Sequence, residues 1–140
     1  MFQKILVAND GSENALRALE IAVDLARRYG AELHQLSVEE HLPHYAASLG
    51  EVLEAEREEL DYFDAVAERA REIASRAGVQ LECHIIAGHE VETIVRFAAE
   101  NQFDLLVIGH KGHSKIWPFH MGSTAARIAE HSRTNVLIVQ

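Results

Sequence analysis

Short apolar runs alternate with longer amphipathic segments along the whole chain. The runs at 105–108 and 136–139 are almost free of polar residues, as in strands of a sheet that is covered on both faces. The segments between such runs repeat their apolar residues with the period of a helix. The pattern predicts strands at 4–8, 32–38, 79–86, 104–108 and 135–139, and helices at about 13–29, 51–77, 90–101 and 123–132. This alternation favours an α/β fold on a parallel sheet, in a single domain spanning residues 1–140.

The loop after the predicted fourth strand contains the most specific pattern. Gly109, Gly112, Gly122 and Ser123 have the spacing Gly-x2-Gly-x9-Gly-Ser, and a helix is predicted to begin there. Glycines let the backbone approach an anion closely, and the first N–H groups of a helix, with its positive dipole end, would point at that anion. The spacing differs from those of the P-loop and of dinucleotide folds. On the residues alone, an ordinary loop followed by a helix cap explains it equally well.

A second polar segment, Asp10-Gly11-Ser12, directly follows the predicted first strand. In an open, doubly wound sheet, ligands bind beyond the carboxyl ends of the strands, where the strand order reverses. If strands one and four are neighbours, Asp10 and the 109–124 loop line one crevice. The apolar pattern does not establish that adjacency.

Composition narrows the class of partner. Acidic residues outnumber basic residues by 22 to 13, for a formal charge of −9, which disfavours nucleic acid and anionic membranes as partners. An anionic ligand must therefore be held by local donors. The single cysteine, Cys83, excludes an internal disulfide. Because the first apolar run is too short for a signal peptide and no membrane span is apparent, we expect a cytoplasmic protein.

Four segments together resemble the ATP-binding subclass of the universal stress proteins, and the resemblance covers essentially all 140 residues. The Gly-x2-Gly-x9-Gly-Ser segment matches the signature of that subclass. The other similar segments are the first strand with its acidic turn (4–12), the turn before the third helix (88–94) and the last strand (135–139). The resemblance implies a doubly wound, five-stranded parallel sheet of order 3-2-1-4-5 with helices on both faces, of the adenine nucleotide alpha hydrolase-like type. That order makes strands one and four neighbours.

The resemblance also implies a role for each matching residue. Asp10 would contact the ribose or help to hold a metal ion, and Ala8 and Val38 would border the adenine. Gly109 and Gly112 would let the backbone pass close to the ribose and phosphates. Gly122, Ser123 and Thr124 would bind phosphate, and Mg²⁺ would accompany a triphosphate because it prefers oxygen ligands. Lys111 and His113 complete the predicted binding residues.

Several of these residues have simpler interpretations. Asp10 could only form the turn before helix one, and Ser123 could only cap a helix. Val38 could belong to the core, and Lys111 could be a solvated loop lysine. The interval 113–121 departs from the family pattern, since it contains Trp117, Pro118 and Phe119 where aliphatic and basic residues are usual; the two aromatic residues could cover the site or anchor the loop.

The chain contains nine histidines, three of them in the 109–124 loop and two in the 40–50 loop. A zinc site needs three or four converging ligands, and the loop histidines match no zinc spacing. We therefore predict no metal site formed by those histidines. His113 would lie near phosphates, where its titration close to neutral pH could affect binding.

Three functions follow from these residues. The preferred one is a stress-response protein that binds ATP, ADP or AMP between Asp10 and the 109–124 loop and communicates with an unknown protein partner. The second is a slow ATPase, disfavoured because no pair of groups has a spacing that demands catalysis. The third is a nucleotide-free scaffold, disfavoured by the intact glycine signature. The resemblance further implies a homodimer formed through the last strand, 135–140.

Overall fold

The computed structural model describes residues 1–40, 48–111 and 123–140. In these ranges five strands and four helices alternate along the chain. The strands are β1 (Lys4–Ala8), β2 (Glu32–Glu39), β3 (Leu81–Ala87), β4 (Leu105–Gly109) and β5 (Val136–Val139); the helices are α1 (Glu13–Tyr29), α2 (Leu49–Arg76), α3 (Glu90–Glu100) and α4 (Ser123–His131). The strands are all parallel, in the order β3-β2-β1-β4-β5. The predicted fold is confirmed, including the adjacency of β1 and β4.

Both faces of the sheet are covered, which explains why its central strand is almost wholly apolar. Ile5 and Val7 of β1 pack with residues of α1 and α2 on one face, whereas Leu6 packs with residues of α3 and α4 on the other. Successive strand residues point to opposite faces, so a strand buried on both sides needs apolar residues at every position. The second of these faces carries both sites described below.

Helix α1 begins and ends where its sequence predicts. Ser12 is the N-cap, and its side chain accepts a hydrogen bond from the N–H of Ala15 at 3.2 Å. At the other end Gly30 adopts a left-handed conformation with φ 63°, and its N–H donates to the carbonyl of Ala26. A serine cap and a terminal glycine satisfy backbone groups that the helix itself leaves unpaired. These two residues fix the length of the helix that follows the Asp10 turn.

Two boundaries differ from the prediction by two residues, both for reasons of helix capping, and several others differ by one residue. Helix α2 begins at Leu49 rather than near residue 51, because Ser48 is its N-cap and accepts from the N–H of Glu51. Gly50 therefore lies inside the helix. Strand β3 begins at Leu81 rather than at residue 79, because the N–H of Val79 donates to Ala74 O at 2.9 Å and completes the end of α2.

Helix α2 is long but only partly packed on the sheet. Its buried residues are Phe63, Ala67, Ala70 and Ala74, all in the second half, whereas Leu49 and Leu53 in the first turns are exposed. The acidic run that precedes Phe63 accordingly forms a solvated helix surface. None of the helices in the described ranges combines the length and apolar character that crossing a membrane requires.

Candidate functional site

A cavity of about 190 Å³ lies at the carboxyl ends of β1, β2 and β4, between α3 and the first turn of α4. One part of its wall is apolar and is formed by Ala8, Leu36, Val38, Ile94, Ile108 and Ile128. The other part is polar and is formed by Asn9, Asp10, Ser12, Glu90, Lys111, Ser123 and Thr124. The sheet order reverses between β1 and β4, so the cavity lies at the switch point where doubly wound sheets bind ligands.

The cavity brings together the described residues that the sequence singled out. All seven of them line it: Ala8, Asp10, Val38, Gly109, Lys111, Ser123 and Thr124. The other three, Gly112, His113 and Gly122, lie outside the described residues, as do Trp117 and Phe119. Asp10 and Lys111, which are 101 residues apart in the chain, thus line the same cavity.

Asp10 forms a turn and also lines the cavity. Its Oδ1 accepts a hydrogen bond from the N–H of Ser12 at 2.9 Å, and its backbone carbonyl accepts one from the hydroxyl of Tyr62 at 2.6 Å. Partial burial raises the pKa of Tyr62, and the Asp10 carboxylate adds to that effect. The simpler interpretation of Asp10 as a turn former is therefore correct, but it does not compete with a role in the cavity. The turn holds the carboxylate at the cavity wall.

Asn9, which was not among the residues predicted from the sequence, holds this turn through its side chain. The residue is buried; its Oδ1 accepts from the N–H of Gly11 at 2.9 Å, and its Nδ2 donates to Gln35 Oε1 at 2.8 Å. The hydroxyl of Ser37 donates to the Asn9 carbonyl at 2.7 Å. Buried polar groups that are fully paired hold a loop in one conformation. An asparagine directly before the acidic residue, and a glutamine inside a buried strand, were the signals available in the sequence.

Gly109 is needed for the packing of α1 against β4, whether or not a ligand occupies the cavity. A Cβ atom at this position would lie 2.9 Å from the backbone carbon and 3.0 Å from the Cβ of Asn14, in the first turn of α1. Two non-bonded carbon atoms normally approach no closer than about 3.5 Å. The glycine therefore allows α1 to begin directly against the end of β4. This contact accounts for Gly109 without any ligand, so only the rest of the cavity can support a phosphate site.

Two helices begin beside the cavity, and at one of them a side chain from another segment accepts from a first-turn N–H group. At α3 the N-cap residue His89 makes no side-chain cap; instead Glu40 Oε1 accepts from the N–H of Glu90 at 2.9 Å. At α4 the helix begins at Ser123, which with Thr124 and Ala125 lines the cavity. The first N–H groups of a helix have no partners within the helix. A carboxylate provides such a partner at α3, and the corresponding first residues of α4 border the cavity.

A parallel doubly wound sheet with a half-apolar, half-polar cavity at its switch point defines a class of α/β proteins that bind small ligands. Comparison with known sequences identifies the family within that class. The universal stress protein family model matches residues 1–140. The universal stress protein YxiE of Bacillus subtilis is 32% identical over 148 aligned residues that cover 100% of both chains. The chain belongs to the universal stress protein family.

Solved structures show the same fold. The universal stress protein UspA from Lactobacillus plantarum superposes with a TM-score of 0.90 and 25% identity, over 99% of this chain and 98% of that one. A universal stress protein in complex with cAMP superposes with a TM-score of 0.77 and 30% identity, over 99% of this chain and 97% of that one. The predicted family is confirmed, and one relative at this level of identity holds an adenine nucleotide.

Proposed function

We propose that this stress protein binds an adenine nucleotide in the cavity at the carboxyl ends of β1 and β4, with ATP accompanied by Mg²⁺ as the preferred ligand and ADP or AMP as alternatives. The observation that carries the proposal is the convergence of seven sequence-predicted residues on one cavity at the switch point. The similar structure that contains cAMP supports the adenine part of the ligand.

The chemistry of the cavity suits the two halves of a nucleotide. An adenine ring needs an apolar slot, which Ala8, Val38 and their neighbours provide. Phosphates need N–H and hydroxyl donors and a cation, which the start of α4 and Lys111 provide. In a protein with a charge of −9 these local donors have to outweigh the overall field.

Asp10 has two alternative roles in nucleotide binding, as a contact of the ribose or as a ligand of the metal ion. Its carboxylate could accept hydrogen bonds from ribose hydroxyls, or it could be one of the oxygen ligands that Mg²⁺ prefers. Mg²⁺ would neutralise phosphate charge and fix the triphosphate. The proposed function is regulation through the bound nucleotide, in the cytoplasm and through a protein partner; hydrolysis forms no part of it.

Two substitutions of Ser123 distinguish the contribution of its backbone N–H, at the start of α4, from that of its side-chain hydroxyl. Proline is tolerated at the first position of a helix, where it removes only an N–H that has no partner within the helix. We expect Ser123→Ala to weaken Mg·ATP binding about threefold and Ser123→Pro about tenfold, with the helix retained. Isothermal titration with ATP, ADP, AMP, cAMP and GTP measures both effects. Equal binding by both variants and the unsubstituted protein would place the phosphates elsewhere.

We also propose that β5, which lies at the edge of the sheet, pairs two copies of the chain as a homodimer. Leu137 is 37% exposed, whereas Val139 is only 5% exposed and belongs to the core. A lysine at Leu137 tests the interface, while one at Val139 would disrupt the fold itself. We expect Leu137→Lys to elute as a monomer on size exclusion with light scattering, since a charge disfavours edge pairing. A dimer of unchanged mass would exclude this edge.

A further inference from the structure

Two histidines and two glutamates meet at the opposite, amino-terminal end of the sheet. Glu32 and His34 are the first and third residues of β2, and Glu82 and His84 are the second and fourth residues of β3. In the parallel pairing His34 is opposite Glu82 and Leu36 is opposite His84. Because alternate strand residues share a face, both histidines and Glu82 lie on the α3 side of the sheet. We call His34, Glu82 and His84 the histidine cluster.

The ligand atoms of the histidine cluster already have the spacing of a coordination site. His34 Nδ1 lies 3.0 Å from His84 Nε2 and 3.4 Å from Glu82 Oε2. One ligand atom from each of the three residues can be chosen so that all lie within 4.8 Å of one another. Bonds of about 2.0–2.1 Å at tetrahedral angles place two zinc ligands about 3.3–3.4 Å apart. A metal ion would require shifts of only a few tenths of an ångström in the first two distances.

The surroundings of His34 fix the ring in the orientation that a metal ligand needs. Its other nitrogen, Nε2, lies 3.3 Å from Glu32 Oε1. Metal-bound histidines usually donate their second N–H to a carboxylate in this way, which sets the tautomer and leaves the first nitrogen bare. The His34 side chain is only 9% exposed and packs edge-on against Phe103, with ring centroids 5.0 Å apart.

The histidine cluster is also open on one side. The side chains of Glu82 and Glu32 are 66% and 64% exposed, so an ion can enter from solvent and retain a water molecule as a further ligand. The ring of His84 stacks on that of His34, with centroids 5.3 Å apart and planes 6° apart, and its other neighbour is Phe97. Burial first, and then the proximity of His34, lower the pKa of His84, which favours the neutral ring.

We propose that His34, Glu82 and His84 bind a divalent transition-metal ion of the zinc class through Nδ1 of His34, Nε2 of His84 and a carboxylate oxygen of Glu82. Imidazole with carboxylate suits zinc, cobalt and nickel, whereas magnesium prefers an all-oxygen site. Without metal, one hydrogen lies between the two facing nitrogens. When the metal binds, that hydrogen leaves His84 Nε2, and the neutral ring carries it on Nδ1 instead.

This site is independent of the proposed nucleotide cavity. None of His34, Glu82 and His84 lines that cavity. The nearest lining residue on β2, Leu36, is two residues from His34, and Val38 is four residues away, about 13 Å along the strand. Leu36, fully buried, lies between His34 and Val38. The histidines of the two loops, for which the sequence predicts no metal site, do not belong to the histidine cluster. Loss of nucleotide binding would therefore leave the metal proposal unaffected, and the reverse also holds.

The test is titration of the full, untagged chain with ZnCl₂ by isothermal calorimetry, followed by Co²⁺ titration, in which visible absorption reports the coordination geometry. The variants are His84→Gln and Glu82→Gln, which remove ligands, and Glu32→Gln, which removes the carboxylate beside His34. His131→Gln is the matched control, because His131 is an exposed histidine at the end of α4. Circular dichroism checks that each variant is folded.

We expect one zinc ion per chain, with Kd raised at least tenfold by His84→Gln and by Glu82→Gln. Loss of the orienting carboxylate in Glu32→Gln should raise Kd about tenfold, and His131→Gln should leave it unchanged. Nitrogen-15 NMR of the unsubstituted protein gives a readout that no folding defect can affect: zinc should shift His34 Nδ1 and His84 Nε2. Absence of zinc binding, or binding without those shifts and unaltered in both ligand variants, would overturn the proposal and leave the histidine cluster as a hydrogen-bonded pair.

Discussion

The two ends of the sheet carry two sites that are built in different ways. At the carboxyl end the polar wall of the cavity is formed by turn residues and the starts of helices, with Asp10, Glu90 and Lys111 as its charged residues. At the amino end the histidine cluster consists entirely of side chains, on two strands paired in one register. Backbone donors suit an extended anion, whereas converging nitrogen and oxygen atoms suit a single cation. One face of one sheet thus offers opposite chemistry at its two ends.

The largest expected effect concerns the packing that closes the carboxyl end. Gly109→Ala places a Cβ 2.9 Å from the backbone of Asn14, so we expect the free energy of unfolding to fall by about 1–3 kcal/mol. Urea denaturation measures this change. Gly50→Ala is the matched control, because a Cβ there meets only the Ser48 hydroxyl at 3.9 Å. Within a helix, that change should raise the free energy of unfolding by about 0.4–1 kcal/mol. Similar effects at both positions would contradict the packing role of Gly109.

Two substitutions of Asp10, with a smaller expected effect, distinguish its role in the turn from its role in nucleotide binding. Asp10→Asn keeps an oxygen that can accept from the Ser12 N–H but removes the charge. We expect stability to stay within about 0.5 kcal/mol and Mg·ATP affinity to fall about tenfold, because a charge-assisted bond is lost.

Asp10→Ala should in addition lower the free energy of unfolding by about 1 kcal/mol through loss of the turn hydrogen bond. Titrations of both variants with and without Mg²⁺ distinguish a metal ligand from a ribose contact. Only a metal ligand makes the loss depend on Mg²⁺. Unchanged affinity in both variants would reduce Asp10 to a turn former.

The smallest effect concerns Cys83, which is between Glu82 and His84 in the chain. Its thiol faces the other side of the sheet, where Sγ donates to Ala67 O at 3.9 Å. Burial raises the pKa of Cys83, so its alkylation by iodoacetamide should need a higher pH than that of a free thiol. Because the pKa of the Cys83 thiol is higher in the folded than in the unfolded protein, the thiol contributes to stability below its unfolded-state pKa. This contribution is lost as the pH rises through the folded-state pKa.

Zinc should leave the alkylation rate of Cys83 unchanged within about twofold, since Cys83 is not a ligand in the proposed site. Mass spectrometry of the alkylated native protein, with and without zinc, measures the rate. Strong protection of Cys83 by zinc against alkylation would show that its thiolate binds the ion, and would contradict the proposed set of ligands.

The difference between the two ends of the sheet also explains which residues could be predicted from the sequence. The glycine spacing and Asp10 are local patterns, each directly after an apolar strand, so the carboxyl-end cavity could be located once the resemblance supplied the strand order. The roles of Asn9, Glu40 and Glu90 could not be predicted from the sequence, because they depend on hydrogen bonds between distant segments. The histidine cluster could not be predicted from the sequence, because His34 and His84 are 50 residues apart in the chain and only the register of β2 with β3 places them together. The starts of α2 and β3 were misplaced by two residues because capping, not periodicity, sets them.

The most direct test of the proposed nucleotide site is native mass spectrometry of the freshly purified, untagged protein, followed by release and identification of the bound molecule. We predict one adenine nucleotide per chain, and its phosphate count will show which nucleotide is retained. Addition of Mg·ATP should also raise the melting temperature, since any ligand that binds only the native state stabilises it by mass action. A protein that carries no nucleotide and gains no thermal stability from Mg·ATP would contradict the account.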